Sequence, residues 1–248
     1  VVGSATLSSS NYIITTNANY NGQITLKYNV NDGTANTAAT QTFALAAVND
    51  APTGANKTIT ILEDGSYTFK EADFGFSDVD GDSLAAVKFT TLPSNGVLKL
   101  GTTTVTAGME VSAANINTLT FTPAANANGN NYGNFTFQVR DNGGVLNSGA
   151  DLDPSANTLT INVTAVNDLP TITGPTATLG GGTEDVSYSV SIANLLQGYT
   201  DAETATASLT VNNVAVFDAT GTTVVGSATL SSSNYIITTN ANYNGQIT

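Results

Sequence analysis

The first 25 residues, VVGSATLSSSNYIITTNANYNGQIT, recur without a change as residues 224–248, which is 223 positions later. No rule of folding requires two identical segments of this length in one domain. Repetition at a fixed period is typical of modules that are stacked or strung in tandem. The repeat therefore predicts that these 248 residues are one window of a longer array, whose modules span distance rather than perform chemistry.

The composition favours strands and turns and excludes several kinds of catalytic site. Charged residues make up only 10% of the chain, against about 25% in ordinary soluble proteins. The formal net charge is −13, which repels nucleic acid and anionic membranes and attracts cations. Histidine and cysteine are both absent, so catalysis by Ser-His or Cys-His pairs, disulfides and most zinc sites are excluded. No apolar run approaches the roughly 18 residues of a membrane span, and we expect no enzyme and no membrane insertion in this segment.

A second, looser repeat divides the chain. The segment Ala47–Pro52 reads AVNDAP and the segment Ala165–Pro170 reads AVNDLP, 118 positions later. Each follows an alternating strand pattern and ends at a proline, which cannot continue a ladder of strand hydrogen bonds. We therefore expect a complete module at residues 51–168, the C-terminal part of a module at 1–50 and the N-terminal part of the same type of module at 169–248.

Alternation of apolar and polar residues predicts many short strands in the complete module. The predicted strands are Ile59–Leu62, Tyr67–Phe69, Ala86–Thr90, Val97–Leu100, Leu119–Thr122, Phe135–Arg140 and Thr158–Val166. Short helical turns are expected at Ala114–Ile116 and at Ile192–Leu196. Seven short strands in about 110 residues favour an all-β fold of tandem Greek-key β-sandwich modules.

The acidic residues are concentrated in matching interstrand positions, where like charges repel unless a cation neutralises them. Carboxylate oxygens in flexible loops are the ligands that Ca²⁺ prefers, so Ca²⁺ is the expected cofactor. The alternative is that these residues are solvated turn residues, since Asp and Gly favour turns without any metal. The candidate ligands are Asp32, Asp50, Glu63, Asp64, Asp78, Asp80, Asp82, Asp141, Asp168, Glu184, Asp185, Asp201 and Glu203.

These residues resemble a known family, the bacterial cadherin-like repeat of giant surface proteins, and are similar to the extender repeats of type I secreted adhesins. The resemblance rests on Glu63–Gly65, Phe76–Asp82, Phe121–Gly129 and Ala165–Asp168. It implies a cadherin/Ig-like, calcium-stabilised extender at the bacterial cell surface whose partners are the neighbouring modules of its array. The sequence Asp201-Ala202-Glu203 departs from the full aspartate triplet, so a weaker site is expected there.

Two other kinds of function remain open at the level of sequence. Strands of residues 1–50 could complete residues 169–248 of a neighbouring identical chain, which would make the protein a self-assembling filament subunit. The duplicated 25 residues count against this, because both copies would compete for one place. Threonine-rich segments such as Thr102–Thr104 are compatible with binding of glycan or ice, although strand propensity explains threonine equally well.

Overall fold

The computed structural model describes residues 2–247, and its contacts divide the chain into unit 1, Val1–Thr164, and unit 2, Ala165–Thr248. Unit 1 begins with two antiparallel hairpins that form separate two-stranded sheets. The first pairs β1 (Gly3–Ser8) with β2 (Asn11–Thr16), and the second pairs β3 (Gly22–Asn31) with β4 (Asn36–Leu45). Most side chains of both hairpins are exposed.

Residues 57–164 form two sheets. A five-stranded sheet has the order β10-β7-β12-β13-β5 and a four-stranded sheet has the order β6-β11-β8-β9. β13 pairs with β5 in parallel, and the other pairings are antiparallel. The strands are β5 (Lys57–Leu62), β6 (Tyr67–Thr68), β7 (Leu84–Phe89), β8 (Val97–Leu100), β9 (Thr103–Thr104), β10 (Glu110–Ser112), β11 (Leu119–Thr122), β12 (Gly129–Asp141) and β13 (Asn157–Thr164). The prediction of an all-β sandwich is confirmed.

The core of unit 1 is built from phenylalanine rings that both sheets enclose. Phe69, Phe135 and Phe137 have no exposed surface, and the ring centroids of Phe69 and Phe135 lie 5.8 Å apart in an edge-to-face arrangement. Buried and partly exposed residues alternate along β12, since Phe135, Phe137 and Val139 are buried while their neighbours are less so. The alternation that predicted a half-buried strand here thus points one row of side chains into the core.

Unit 2 has a smaller set of strands around a smaller core. Its four-stranded sheet has the order β15-β19-β18-β17, and β14 pairs with β16. The elements are β14 (Thr171–Ile172), β15 (Tyr188–Ser191), helix α1 (Ile192–Leu196), β16 (Tyr199–Thr200), β17 (Val216–Phe217), β18 (Val224–Ser231) and β19 (Asn234–Thr239). Both predicted helical turns are confirmed, the first as the 3₁₀ helix Ala113–Thr118 and the second as α1.

The exact repeat folds into the same hairpin twice but in two environments. β1–β2 and β18–β19 share one register, since Gly3 pairs with Thr16 as Gly226 pairs with Thr239. Tyr12 is 67% exposed in the first hairpin, whereas its twin Tyr235 is 7% exposed in the second. Local sequence therefore determines the hairpin, and the strands that pack on it determine whether its apolar face is covered.

One buried acid of unit 1 has only protein partners and is structural. Asp73 is 3% exposed and accepts hydrogen bonds from Lys57 Nζ at 2.7 Å, Tyr67 Oη at 3.0 Å and the Lys70 N–H at 2.8 Å. Burial by itself would raise the pKa of Asp73, but these hydrogen bonds and the charge of Lys57 together lower it below its usual value.

We expect Asp73→Asn to lower the free energy of unfolding by about 2 kcal/mol at pH 7, because an amide cannot accept all three donors. Since the folded pKa lies below the unfolded one, this stabilisation is complete above about pH 4 and is lost as the pH falls through the folded pKa. Urea unfolding of both chains from pH 7 to pH 3 measures the difference. A difference that stays constant over that range would contradict the assigned role.

Candidate metal centre

Three aspartates come together in the loop between β6 and β7. Asp78, Asp80 and Asp82 each offer a carboxylate oxygen, and these oxygens all lie within 4.8 Å of one another. The Asp78 side chain stabilises the turn of this loop, because its Oδ1 accepts hydrogen bonds from the N–H groups of Asp80 at 2.8 Å and Asp82 at 3.0 Å. Gly81 has φ +84°, a conformation that glycine adopts without strain, and it allows the loop to turn inside so short a segment.

The segment that precedes the sandwich is tied to this loop. The Asp50 N–H donates to Asp80 Oδ2 at 2.7 Å. The side-chain amide of Asn49 donates to Asp141 Oδ1 at 3.0 Å and to the Ala150 carbonyl at 2.7 Å. Asp141 stands at the end of β12 and is 2% exposed. The structure thus brings Asp50, Asp78, Asp80, Asp82 and Asp141 of the predicted set to one place, together with Asn49.

Several of these oxygens are buried and have no hydrogen-bond donor. Asn49 Oδ1, Asp78 Oδ2 and Asp141 Oδ2 are in this state. Asn49 Oδ1 and Asp82 Oδ2 also face the same backbone position, because a Cβ added at Gly143 would collide with both. A buried acceptor without a partner is costly unless a cation or a water meets it. The donor set is all oxygen and mainly anionic, so it fits Ca²⁺.

We call Asn49, Asp78, Asp80, Asp82 and Asp141 together the first oxygen cluster. The pKa of Asp82 reflects the repulsion between the carboxylates of this cluster. Partial burial and then the negative charges of Asp78, Asp141 and Asp80 raise the pKa of Asp82 above its usual value. A divalent cation placed among these carboxylates would remove the repulsion and compensate for the lost solvation.

Unit 2 builds a second oxygen cluster from Asp168, Asp201 and Glu203. The Asp168 N–H donates to Glu203 Oε2 at 2.8 Å, as the Asp50 N–H does to Asp80. Asp201 Oδ1 accepts from the N–H groups of Glu203 at 3.1 Å and Thr204 at 2.7 Å. Asp168 Oδ2 and Glu203 Oε1 are buried without a donor. The second cluster therefore repeats the construction of the first with fewer carboxylates.

The remaining predicted ligands make other contacts. Glu63 is 2% exposed and accepts from Asn128 Nδ2 at 3.0 Å. Asp64 accepts from the Asn126 N–H at 3.1 Å, and its counterpart Asp185 accepts from the Asn242 N–H at 3.2 Å. Glu184 is exposed. Among residues 2–247, only Asp78, Asp80 and Asp82 form a group of three acids whose carboxylate oxygens all lie within 4.8 Å of one another, and the three acids of the second oxygen cluster do not meet this distance.

Asp32 closes the β3–β4 hairpin. Its Oδ1 accepts from the Thr34 N–H, the Thr34 hydroxyl and the Ala35 N–H, each at 2.8 Å. Hydrogen bonds from the Ala35 and Thr34 backbone and from the Thr34 side chain lower the pKa of Asp32 to about 2. One of the two carboxylate oxygens of Asp32 is therefore used to stabilise the hairpin turn.

Asn49 is a candidate ligand that the sequence did not reveal. The predicted set contained only carboxylates, whereas Asn49 offers an amide oxygen, which is also an ordinary Ca²⁺ ligand. The signal was present, because asparagine precedes aspartate at both boundaries, as Asn49-Asp50 and as Asn167-Asp168.

Comparison with known families identifies one family that matches most of the chain. The sequence model of the cadherin-like domain matches residues 48–155 and 166–248, more than half of the chain, and both matches begin one residue before an Asn-Asp pair. The chain therefore belongs to the cadherin-like domain family, whose members are generally non-enzymatic, extracellular structural modules. Searches of curated proteins and of solved structures gave no significant match. No helix within residues 2–247 is long and apolar enough to cross a membrane.

Proposed function

We propose that this chain is a calcium-stabilised structural extender of a bacterial cell-surface adhesin or extracellular filament, with the neighbouring modules of its array as partners. The observation that carries this proposal is the first oxygen cluster, where buried oxygens without donors come from three separate parts of the chain. Asn49 lies in the connecting segment, Asp78 in the loop before β7, and Asp141 at the end of β12.

An ion bound there would fasten the connecting segment to the body of the sandwich. Residues 46–50 form no strand, and they are held by a few hydrogen bonds at Ala47, Asn49 and Asp50. A Ca²⁺ ion takes six to eight oxygen ligands, so it can join the carboxylates of the loop to Asn49 in one coordination shell. By restricting the motion of this segment, bound Ca²⁺ would stiffen an array of modules and keep it extended.

The absence of histidine and cysteine in the sequence is consistent with a role that is structural rather than catalytic. Extracellular calcium modules bind with dissociation constants of about 10⁻⁴–10⁻³ M, so occupancy would follow the calcium content of the medium. The second oxygen cluster, with fewer carboxylates, would fill at higher concentration than the first.

Calorimetric titration of the chain with Ca²⁺ and with Mg²⁺ tests the proposal. We expect Ca²⁺ to bind in this range and Asp141→Asn to weaken binding at the first cluster at least tenfold, because it removes the charge of a buried ligand. Glu71→Gln, which removes the same charge from an exposed acid outside both clusters, should leave binding unchanged.

Limited proteolysis of the same samples tests the stiffening. Calcium should slow cleavage within residues 46–50 of the unchanged chain and of Glu71→Gln, but not of Asp141→Asn. Binding that is equal in all three chains, or that leaves cleavage unaffected, would contradict the proposed function.

A further inference from the structure

Gly143, in the loop that follows β12, lies against two candidate ligands of the first oxygen cluster. A Cβ atom built on Gly143 would overlap both Asn49 Oδ1 and Asp82 Oδ2. The first of these oxygens comes from the connecting segment and the second from the loop before β7. A side chain at position 143 would therefore occupy the space in which these two oxygens lie.

The backbone of Gly143 does not itself require glycine, because its φ is outside the left-handed region that favours this residue. The next residue, Gly144, is the opposite case. Its φ is +81°, and no heavy atom beyond its chain neighbours lies within 4 Å of the place its Cβ would take. Glycine at position 144 thus allows the backbone to turn, whereas glycine at position 143 leaves room for the two oxygens.

The N–H group of Gly143 also orients Asp141. It donates to Asp141 Oδ1 at 2.9 Å, and the side-chain amide of Asn49 donates to the same oxygen at 3.0 Å. Both donors therefore use one carboxylate oxygen, and Asp141 Oδ2 stays buried without a donor. Gly143 fixes one candidate ligand through its N–H group and leaves space for two others because it has no side chain.

The backbone of Asn49 is held close to this loop. Its carbonyl accepts from the Ala150 N–H at 2.9 Å. Gly149 lies so near that a Cβ built on it would be 3.0 Å from the nitrogen and the Cβ of Asn49. A methyl group at position 143 would therefore displace the Asn49 side chain rather than its backbone, and the amide oxygen would turn away from the cluster.

The backbone that carries Asp82 is held in the same way. The Ser83 N–H donates to Asn142 Oδ1 at 2.8 Å, and the Asn142 N–H donates to the Ser83 carbonyl at 3.1 Å. These two hydrogen bonds join the residues that directly follow Asp82 and Asp141. Since the two loops cannot separate without losing both bonds, the Asp82 carboxylate would also have to rotate away from an added methyl group.

We propose that Gly143 is a positioning residue of the calcium site, whose missing side chain allows Asn49 Oδ1 and Asp82 Oδ2 to bind the same ion as Asp141. This inference rests on the proposed function and adds to it a residue that offers no ligand atom of its own side chain. Calcium is bound by six to eight oxygens at about 2.3–2.6 Å, so the displacement of two of them weakens binding.

Gly143→Ala and Gly144→Ala form a matched pair, because each adds one methyl group at neighbouring positions of one loop. In calorimetric titration with Ca²⁺, Gly143→Ala should weaken binding at the first cluster by about 10- to 100-fold, while Gly144→Ala should bind like the unchanged chain. In thermal unfolding with EDTA, Gly144→Ala should lower the melting temperature at least as much as Gly143→Ala, since alanine is strained at a φ of +81°.

Two further measurements separate positioning from a general effect on the loop. In nuclear magnetic resonance spectra of the metal-free chains, the side-chain amide signal of Asn49 should shift in Gly143→Ala far more than in Gly144→Ala. The reason is that Asn49 Nδ2 would lose its hydrogen bonds to Asp141 and to the Ala150 carbonyl. In an Asn49→Ala background, Gly143→Ala should cost less affinity, because one of the two displaced oxygens is already absent.

Calcium binding by Gly143→Ala that equals that of the unchanged chain would overturn the positioning role and leave the proposed function intact. Equal losses of affinity in Gly143→Ala and Gly144→Ala would overturn it as well, because they would show that any change in this loop weakens binding. If the unchanged chain binds no calcium, the proposed function fails and the role of Gly143 fails with it.

Discussion

Tyr235→Ala should lower the free energy of unfolding of unit 2 by about 3 kcal/mol, whereas Tyr12→Ala should change the free energy of unfolding of unit 1 by less than about 0.5 kcal/mol. Tyr235 is 7% exposed, packs in the core of unit 2, and donates from its hydroxyl to the Val211 carbonyl at 2.9 Å. Tyr12 is 67% exposed. The two tyrosines lie in identical 25-residue segments, so strand propensity and turn chemistry are the same and only tertiary packing differs.

Hydrogen exchange followed by mass spectrometry in increasing urea measures this difference. Peptides from the two copies of the repeat have the same mass, so the stability of unit 2 should be read on the unique segment Tyr188–Leu196 and that of the hairpins of unit 1 on the unique segment Asn36–Leu45. A protein concentration at which the chain is monomeric keeps assembly from adding to the result. Equal losses for both substitutions would show that the hairpin is stable by itself and that the packing described for unit 2 is unimportant.

Much of the fold follows from sequence periodicity, because each strand of the sandwich buries one face. The predicted strands around Ile59, Val97, Leu119 and Phe135 are present, since their alternation is strong enough to be read without tertiary information. β9 (Thr103–Thr104) and β10 (Glu110–Ser112) were not predicted, because two or three residues give no periodic signal and neighbouring strands define them.

The end of the last strand of the sandwich was placed too late. The prediction extended to Val166, but β13 ends at Thr164, whose carbonyl accepts from the Glu63 N–H at 3.0 Å. The partner strand β5 ends at Leu62, which pairs with Thr164, so the ladder between these two strands ends there. Alternation along one strand cannot show where its neighbour ends.

The acids of the site were identifiable, but their roles were not. The spacing of Asp78, Asp80 and Asp82 predicted that their carboxylates converge, and they do. Spacing could not show that Asp73 and Asp153 are also buried, with protein donors that satisfy them. Which oxygen lacks a donor depends on contacts across the sequence, such as that of Asn49 with Asp141. The sequence contains the candidate ligands, and the fold determines which of their oxygens converge.

Asp82→Asn should change stability in opposite directions with and without calcium. In the absence of Ca²⁺ the substitution removes one of several repelling charges, since Asp78, Asp141 and Asp80 all raise the pKa of Asp82, so the melting temperature should rise. In the presence of Ca²⁺ it removes a ligand, so the stabilisation by the ion should shrink. A solvated turn aspartate would show neither effect.

Thermal unfolding of the unchanged chain and of Asp82→Asn in about 5–10 mM Ca²⁺, Mg²⁺ or EDTA, concentrations at least about fivefold above the expected dissociation constant, tests the central claim most directly. A ligand at ten times its dissociation constant stabilises by about 1.4 kcal/mol for each site, so Ca²⁺ should raise the melting temperature of the unchanged chain by about 5 °C or more. Mg²⁺ should do much less, and the order of the two chains should reverse between Ca²⁺ and EDTA. Equal melting temperatures in all three conditions would show that the clustered acids are solvated turn residues and that calcium does not hold this chain together.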